Sequence, residues 1–129
     1  MEVVTPPILY QTYKNDELPI MFSTYQKKWL EIFNGEYKFL NDEDLRQLVV
    51  THFPKYLPFY DGCKRNIERV DFARYIMMYL GGVYADMDTY PLKPIDVWIN
   101  KNKIVLGREP IEHANDIYKR EIVLCNAFM

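Results

Sequence analysis

The chain has 129 residues, 49% hydrophobic and 26% charged, which is ordinary for a single globular domain and excludes a disordered chain. Its formal net charge of −2, without a basic stripe, excludes nucleic-acid binding through phosphate neutralisation. The two cysteines form no disulfide framework and no zinc motif, and no run reaches the ~18–20 apolar residues of a membrane span. We therefore expect one cytoplasmic domain over residues 1–129, without a signal peptide or membrane segment.

The first half of the chain predicts alternating strands and helices. A strand is expected over residues 8–12, followed by a helix over residues 22–33, where aromatic and aliphatic residues recur at helical spacing. A short strand over residues 37–40 comes next. Asn41 is a good N-cap for a further helix, because acidic residues follow it in the first turn.

The clearest helix is predicted over residues 65–80, after an irregular segment that contains Pro54 and Pro58. One apolar stripe runs along it and consists of Ile67, Val70, Ala73, Ile76, Met77 and Leu80. The pair Gly81-Gly82 is typical of a helix C-terminus.

Three strands are predicted after this helix, over residues 83–88, 104–106 and 122–125. Strands that alternate with helices indicate a layered α/β fold with a partly parallel sheet. Side chains alternate along a strand, so the first of these strands has one apolar and one polar face. The apolar face would carry Val83, Ala85 and Met87, and the other Tyr84, Asp86 and Asp88.

Asp86 and Asp88 predict a metal site, because they place two carboxylates at the end of a strand, where open α/β sheets bind ligands. Two adjacent carboxylates repel each other, and a hard divalent cation removes that repulsion. Mg²⁺ or Mn²⁺ suits oxygen ligands and also bridges to phosphate oxygens. The diphosphate oxygens of a nucleotide sugar would be natural further ligands of such a metal, which would then stabilise charge on the departing diphosphate.

Asp71 and Arg74 lie three residues apart and therefore on one helix face. Such a pair can hydrogen-bond sugar hydroxyls, the carboxylate as acceptor and the guanidinium as donor. The alternative is an ion pair on a solvated helix face. The neighbouring Asp86 and Asp88 favour the sugar-binding interpretation.

Two other interpretations of the Asp86-x-Asp88 motif can be tested against the sequence. A calcium-binding EF-hand loop is excluded, because Tyr90 and Pro91 stand where an oxygen ligand and a glycine are needed. A phosphatase of the aspartyl-phosphate type, with Asp86 as nucleophile, remains an alternative. The residues after Asp88 offer no convincing match to the lysine and acidic pair that it needs.

A longer pattern resembles the DXD-motif glycosyltransferases, which include yeast-type initiating α-mannosyltransferases, capsular-polysaccharide sugar transferases and, distantly, the glucosylating toxins. It consists of Arg69, Asp71, Arg74, Tyr75, Gly81, Gly82, Tyr84, Asp86 and Asp88. The opening from Pro6 to Lys14 is also similar to the family, with Tyr10 and Tyr13 in place of its usual His and Trp. The segment Asn126-Ala127-Phe128-Met129 extends the resemblance to nearly the whole chain.

The resemblance implies a Rossmann-like A-type glycosyltransferase fold, in a short or truncated version, that binds Mn²⁺ or Mg²⁺. It implies transfer of a hexose from a UDP- or GDP-sugar to a glycan or other hydroxyl acceptor, with retention of configuration. The roles it implies are direct metal binding by Asp88, and contact with the ribose or a metal-bound water by Asp86. It assigns the donor sugar to Asp71 and Arg74 and the nucleotide to Gln11, Thr12, Tyr13 and Asp86, and assigns no catalytic base or nucleophile.

Catalytic domains of this family are usually longer, which predicts that the acceptor part is reduced or missing here. A second functional hypothesis is therefore a donor-binding fragment that only hydrolyses the nucleotide sugar or has no activity. The apolar run over residues 122–129 would then lack covering structure, which favours self-association.

Overall fold

The computed structural model describes residues 6–101 and 104–129. Its strands are β1 (Ile8–Thr12), β2 (Glu36–Leu40), β3 (Val83–Tyr84), β4 (Gly107–Arg108) and β5 (Leu124–Cys125). Its α-helices are α1 (Ile20–Ile32), α2 (Asp42–His52), α3 (Leu57–Gly62), α4 (Asn66–Leu80), α5 (Asp96–Lys101) and α6 (Ile111–Asp116). No helix in these ranges is both long and apolar enough to cross a membrane.

The main sheet has three parallel strands in the order β2-β1-β3. Helix α1 connects β1 to β2, and helices α2 to α4 connect β2 to β3. These two connections run on opposite faces of the sheet, so β1 lies at the point where the strand order reverses. Ligands of open α/β sheets bind at such a point, outside the carboxyl ends of the strands.

Each face of the sheet has its own apolar core, as alternation along the strands requires. The core toward α2, α3 and α4 contains Tyr10, Leu45, Val49, Tyr60, Ala73, Ile76, Met77 and Tyr84. The core toward α1 and α5 contains Leu9, Trp29, Phe33, Val83, Ala85 and Ile95. The predicted α/β class with a parallel sheet is thus confirmed.

The predicted elements of the first half are confirmed within one or two residues. Asn41 caps α2 through a reciprocal pair of 3.0 Å hydrogen bonds with Asp44. The segment around Pro54 and Pro58, predicted to be irregular, instead forms a 3₁₀ turn (Pro54–Tyr56) and the short helix α3. Proline is tolerated there because each ring lies in the first turn, where no helical hydrogen bond is lost.

Two predictions about the second half are wrong. The strand predicted over residues 83–88 ends after Tyr84, and Ala85 adds only a single bridge to Phe128. The strand predicted over residues 104–106 lies instead at Gly107–Arg108, which pairs with β5 in an antiparallel hairpin. A short apolar run reports burial but does not reveal which neighbour supplies the backbone hydrogen bonds.

The apolar stripe of α4 is also narrower than predicted. Ala73, Ile76 and Met77 are buried, whereas Ile67 is 55% exposed and Leu80 is 38% exposed. Arg74, a charged residue outside the predicted stripe, is buried in their place, at 4% exposure. The helix therefore points a cation into the protein, beside the end of β3.

The end of the chain pairs with β3 on the side away from β1. Backbone hydrogen bonds join Tyr84 to Met129 in both directions, at 2.7 and 2.9 Å, and the Asp86 amide to the Ala127 carbonyl at 2.7 Å. The Phe128 ring stacks on Trp29, with centroids 6.3 Å apart. The final residues are thus covered, and the exposed part of the predicted apolar run is Ile122 and Leu124.

Gly82 allows β3 to start close to β1. Its φ is +140°, which L-residues rarely adopt, and a Cβ atom there would lie 2.6 Å from the Ile8 carbonyl oxygen. The same atom would lie 2.9 Å from the Tyr10 ring. Only glycine fits, so the register of the strand that leads to Asp86 depends on this residue.

Replacing Gly82 with alanine is expected to destabilise the fold by about 2 kcal/mol or more, because the strained φ and the overlap with Ile8 add together. Urea unfolding followed by circular dichroism measures the free energy. Gly62→Ala is the control, since a Cβ at the end of α3 meets nothing within 4 Å. That variant is expected to stay within about 1 kcal/mol of wild type. Equal stability of the two variants would contradict the close approach of β3 to β1.

Candidate functional site

A cavity of about 280 Å³ opens at the carboxyl ends of β1 and β3, beside α4. It lies where the strand order reverses, as the α/β topology predicts. Its lining residues are Thr12, Tyr13, Lys14, Phe22, Asp42, Asn66, Ile67, Val70, Arg74, Tyr84, Asp86, Met87 and Asp88. The cavity thus brings together the opening segment and the Asp-x-Asp motif, which are more than 70 residues apart in the chain.

Asp86 and Asp88 lie on a tight turn rather than on a continuing strand. The Thr89 amide donates to the Asp86 carbonyl oxygen at 3.1 Å, and the Thr89 hydroxyl donates to the same oxygen at 2.6 Å. Met87 is buried at the centre of the turn, whereas Asp88 is exposed. The turn therefore separates the two acids into different environments, which strand alternation did not predict.

Two buried side chains, Gln11 and Trp29, donate hydrogen bonds to the backbone of this turn. Gln11, at 0% exposure, donates from Nε2 to the Asp86 carbonyl oxygen at 3.2 Å and accepts from the Tyr37 hydroxyl at 2.9 Å. The Trp29 indole donates to the Thr89 carbonyl oxygen at 3.1 Å. Gln11, to which the resemblance gives a nucleotide contact, has no exposed surface in this structure and holds the turn through its hydrogen bond to the Asp86 carbonyl oxygen.

Arg74 is the centre of the polar network behind the cavity. Its Nη2 donates to the Tyr84 hydroxyl at 3.0 Å and to Asp86 Oδ1 at 3.1 Å, and its Nη1 donates to the Asn126 carbonyl oxygen at 2.9 Å. The Tyr84 hydroxyl also donates to Asp86 Oδ1, at 2.5 Å. A buried guanidinium needs such partners, because an unpaired charge there is strongly destabilising. Within the described ranges its Nε is buried without an acceptor.

Burial changes the acidity of both groups that meet Arg74. It raises the pKa of Tyr84 far above its usual value, and the nearby Asp86 carboxylate adds to that effect. Burial also raises the pKa of Asp86, although the Tyr84 hydrogen bond and the Arg74 charge act in the opposite direction. The charges of Asp88 and Asp71 raise it further. Asp86 is thus a partly desolvated carboxylate whose ionised form is favoured first by the Tyr84 hydrogen bond and then by the Arg74 charge.

The donor set fits Mg²⁺ or Mn²⁺ bound jointly with a phosphorylated ligand. In the described part of the chain, no group of three or more His, Cys, Asp or Glu side chains lies together. A dedicated protein cage is therefore not formed by these residues. Mg²⁺ commonly uses one or two carboxylates and takes its other oxygens from phosphate and water. Asp88 and Asp86 can supply those carboxylates, Asp88 from the exposed side of the turn.

The other predicted site residues lie in different places. Thr12 and Tyr13 line the cavity, and the Tyr13 ring meets Phe22 edge to face, with centroids 5.7 Å apart. Asp71 lies outside the lining, half exposed, with its Oδ1 3.7 Å from Arg74 Nη1. The Asn126 side chain approaches the same oxygen at 3.5 Å. The predicted Asp71–Arg74 pair is thus present, one member buried and the other accessible.

Three further residues, Tyr84, Trp29 and Asn126, contribute hydrogen bonds to the site. Tyr84 was placed on the same strand face as Asp86, and its hydroxyl in fact lies between Asp86 and Arg74. The sequence did not predict the contacts of Trp29 and Asn126, because their partners are 60 and 52 residues away in the chain. Periodicity cannot report contacts between such distant segments.

A larger cavity of about 400 Å³ lies at the opposite end of the strands, between the start of β1, the start of β3 and Phe128. Among the residues described, none with an ionisable side chain lines it. It therefore offers no charged side chain to a phosphate or a cation, unlike the cavity beside Asp86 and Asp88.

Comparison with known proteins gives matches over most of the chain. The family profile described as a glycosyltransferase sugar-binding region containing DXD motif matches residues 14–105. Inositol phosphoceramide mannosyltransferase 3 of Schizosaccharomyces pombe is 34% identical over 114 residues, which are 87% of this chain and 32% of that protein. The initiation-specific alpha-1,6-mannosyltransferase of Saccharomyces cerevisiae is 31% identical over 125 residues, 85% of this chain and 26% of that protein.

This chain thus spans about a quarter to a third of the length of these two curated relatives. No solved structure matches it significantly.

Replacing Arg74 with lysine is expected to destabilise the protein by about 2–4 kcal/mol, because one ammonium group cannot replace hydrogen bonds to three separate acceptors. Arg65→Lys is the matched control, since the Arg65 side chain is 74% exposed and pairs with Glu68 on the same helix turn. Its stability is expected to stay close to wild type. Chemical unfolding of both variants measures the difference, and a small effect at Arg74 would show that the network contributes little.

Proposed function

Because this chain belongs to the family of glycosyltransferase sugar-binding regions that contain a DXD motif, we propose that it forms the donor side of a metal-dependent glycosyltransferase with an A-type fold. The donor is a UDP- or GDP-hexose and the acceptor a glycan or other hydroxyl compound, with retention of anomeric configuration. The relatives named mannosyltransferases favour mannose as the hexose. The main support for the proposal is that one cavity is lined both by Tyr13 and by the Asp86–Asp88 turn.

Asp88 is the residue proposed to bind the cation directly, because it is exposed on the rim of the turn. Asp86 contributes less directly, since its Oδ1 already accepts hydrogen bonds from Arg74 and Tyr84. When Mn²⁺ or Mg²⁺ is bound with the donor, it supplies positive charge that stabilises the departing diphosphate.

The remaining residues bind and orient the donor. Tyr13 and Thr12 line the part of the cavity proposed to take the nucleoside. Asp71, half exposed at the edge of α4, can accept hydrogen bonds from hexose hydroxyls. Arg74 lines the cavity and carries the Nε donor without an acceptor, so a small shift would allow it to donate to a sugar oxygen. The buried network behind it keeps these groups in place.

The aspartyl-phosphate alternative is less favourable on this geometry. It requires Asp86 as a free nucleophile, whereas Asp86 Oδ1 is held by Arg74 and Tyr84. It also predicts a phosphatase activity that Asp86→Asn abolishes, together with no binding of nucleotide sugars. The donor-binding proposal predicts that a nucleotide sugar binds and that no such phosphatase activity is found.

A panel of UDP- and GDP-sugars, with and without Mn²⁺, tests donor binding by thermal unfolding. A bound nucleotide sugar at ~100 times its Kd is expected to stabilise the protein by about 2.7 kcal/mol, only in the presence of metal. Asp88→Asn is expected to abolish the shift in melting temperature. Asp116→Asn, the same change at an exposed acid on α6, is expected to leave it intact.

Absence of any shift in the wild-type protein would refute donor binding. Where a shift is found, release of free hexose separates hydrolysis from simple binding, and transfer to an added glycan separates a transferase from a donor-binding fragment. The anomeric configuration of a transferred hexose, measured by NMR, tests retention.

We also propose that the chain self-associates through the exposed part of its C-terminal apolar run. Ile122 and Leu124 are 61% and 64% exposed on and beside the β4–β5 hairpin, where exposed apolar side chains are an association hazard.

Light scattering after size-exclusion chromatography tests this proposal. The wild-type chain is expected to form dimers or larger species at micromolar concentration, and a double variant with Ile122→Ser and Leu124→Ser is expected to be monomeric. Ile20→Ser, at an isoleucine that is 86% exposed on α1, is the control and is expected to behave as wild type. A monomeric wild-type chain would contradict the proposal.

A further inference from the structure

We propose that Tyr37 is a positioning residue for the acidic turn, because its hydroxyl orients the buried amide of Gln11, which holds the Asp86 carbonyl oxygen. This inference rests on the proposed function, since it concerns the turn that is proposed to bind the cation. It assigns a role to Tyr37 and to Gln26, which are not among the residues that carry the family resemblance. It also gives Gln11 a role other than contact with the nucleotide.

A line of hydrogen bonds runs from α1 to the acidic turn. Gln26 Nε2, on α1, donates to the Tyr37 hydroxyl at 3.0 Å. The Tyr37 hydroxyl, on β2, donates to Gln11 Oε1 at 2.9 Å. Gln11 Nε2, on β1, donates to the Asp86 carbonyl oxygen at 3.2 Å. Four segments of the chain are thus joined by three consecutive hydrogen bonds.

The direction of the hydrogen bonds in this line is set by the chemistry of the groups. A carbonyl oxygen only accepts, so Gln11 has to present its NH₂ group to Asp86. The Gln11 side-chain oxygen then faces Tyr37 and needs a donor, which the hydroxyl supplies. Because Gln11 is 0% exposed, solvent does not replace that donor. Hydrogen bonds aligned in this way also polarise one another, so each strengthens the next.

The orientation of the Asp86 carbonyl determines the course of the chain toward Asp88. The peptide group is planar, so the direction of this carbonyl sets the direction in which the chain continues through Met87. The same oxygen accepts from the Thr89 amide and hydroxyl, but these donors belong to the turn and move with it. Gln11 lies on β1 and therefore fixes the turn relative to the sheet.

Two separate networks hold Asp86, one on each face of the sheet. Arg74 and Tyr84 hold the Asp86 side chain on the face toward α4. Gln11 holds the carbonyl oxygen, and Tyr37 packs against the core on the face toward α1. Removal of the Tyr37 hydroxyl is therefore expected to leave the hydrogen bonds of the Asp86 carboxylate intact and to act on the backbone of the turn.

Tyr37→Phe deletes one oxygen atom and keeps the aromatic ring. The Gln11 oxygen then loses its donor at a position without solvent. If the amide keeps its orientation, a buried acceptor stays unpaired, and its bond to Asp86 is no longer polarised by Tyr37. If the amide rotates by half a turn, its oxygen meets the Asp86 carbonyl oxygen, and the two acceptors repel each other. Both outcomes weaken the hold of Gln11 on the turn.

Mn²⁺ titration followed by tryptophan fluorescence tests the inference, with UDP or GDP present at constant concentration. Trp29 donates to the Thr89 carbonyl oxygen, so a paramagnetic cation bound at the turn is expected to quench its emission. Tyr37→Phe is expected to raise the apparent Kd of Mn²⁺ about tenfold or more, the usual effect of removing a group that orients metal ligands. Urea unfolding of the same variant shows whether its stability has changed as well.

Tyr60→Phe is the matched control, because it removes the same oxygen from a buried tyrosine in the core on the opposite face of the sheet. Its Kd for Mn²⁺ is expected to equal that of wild type, whatever its effect on stability. Gln11→Met removes both Gln11 hydrogen bonds and keeps the length of the side chain. It is expected to weaken Mn²⁺ binding at least as much as Tyr37→Phe, and the double variant is expected to match Gln11→Met alone.

Three results would overturn the inference and leave the proposed function intact. A Tyr37→Phe variant that loses stability but binds Mn²⁺ like wild type shows that the hydroxyl serves the fold alone. An equal loss of Mn²⁺ binding in Tyr60→Phe shows that any buried hydroxyl has the same effect. Additive losses in the double variant show that Tyr37 does not act through Gln11. If the wild-type chain binds Mn²⁺ with neither nucleotide, the proposed function fails and the inference fails with it.

Discussion

The pairing of the buried Arg74 guanidinium is the interaction on which the rest of the site depends. It joins α4 to β3 through Tyr84 and Asp86, and to the end of the chain through the Asn126 carbonyl. A buried cation is tolerated only where acceptors surround it, so these three segments are held at fixed distances. Gln11 also donates a hydrogen bond to the Asp86 carbonyl oxygen in the turn. Hydrogen bonds from Arg74 and Gln11 thus fix the position of the acidic turn in this structure.

This arrangement makes two acids that are neighbours in sequence chemically different. Asp86 is partly buried and paired, and burial raises its pKa, whereas Asp88 is exposed beyond the turn. The difference arises because β3 ends after Tyr84 and the Asp86 carbonyl begins a hydrogen-bonded turn at Thr89. One carboxylate is thus fixed by hydrogen bonds within the protein, while the other is accessible from solvent.

The family motif combines residues that contact the site with residues that only shape the fold. Arg69 donates to the Tyr60 and Cys63 carbonyl oxygens and so fixes the end of α3 against α4. Gly82 allows the close approach of β3 to β1. Tyr75, which is 61% exposed, lies outside the cavity beside Asp86 and Asp88. Much of the spacing in the motif is therefore a requirement for placing Asp86 and Arg74 together.

The sequence by itself determined the α/β class and the order of the first strands and helices, because caps, glycines and periodicity are local signals. It also predicted Asp71, Arg74, Asp86 and Asp88 as candidate site residues, from the spacing of the motif. Only the tertiary structure decided that Arg74 is buried, that Gln11 lies beneath the turn, and that the end of the chain pairs with β3. It also placed Asp42 in the cavity. These facts depend on contacts between segments far apart in the chain, for which hydrophobic periodicity carries no information.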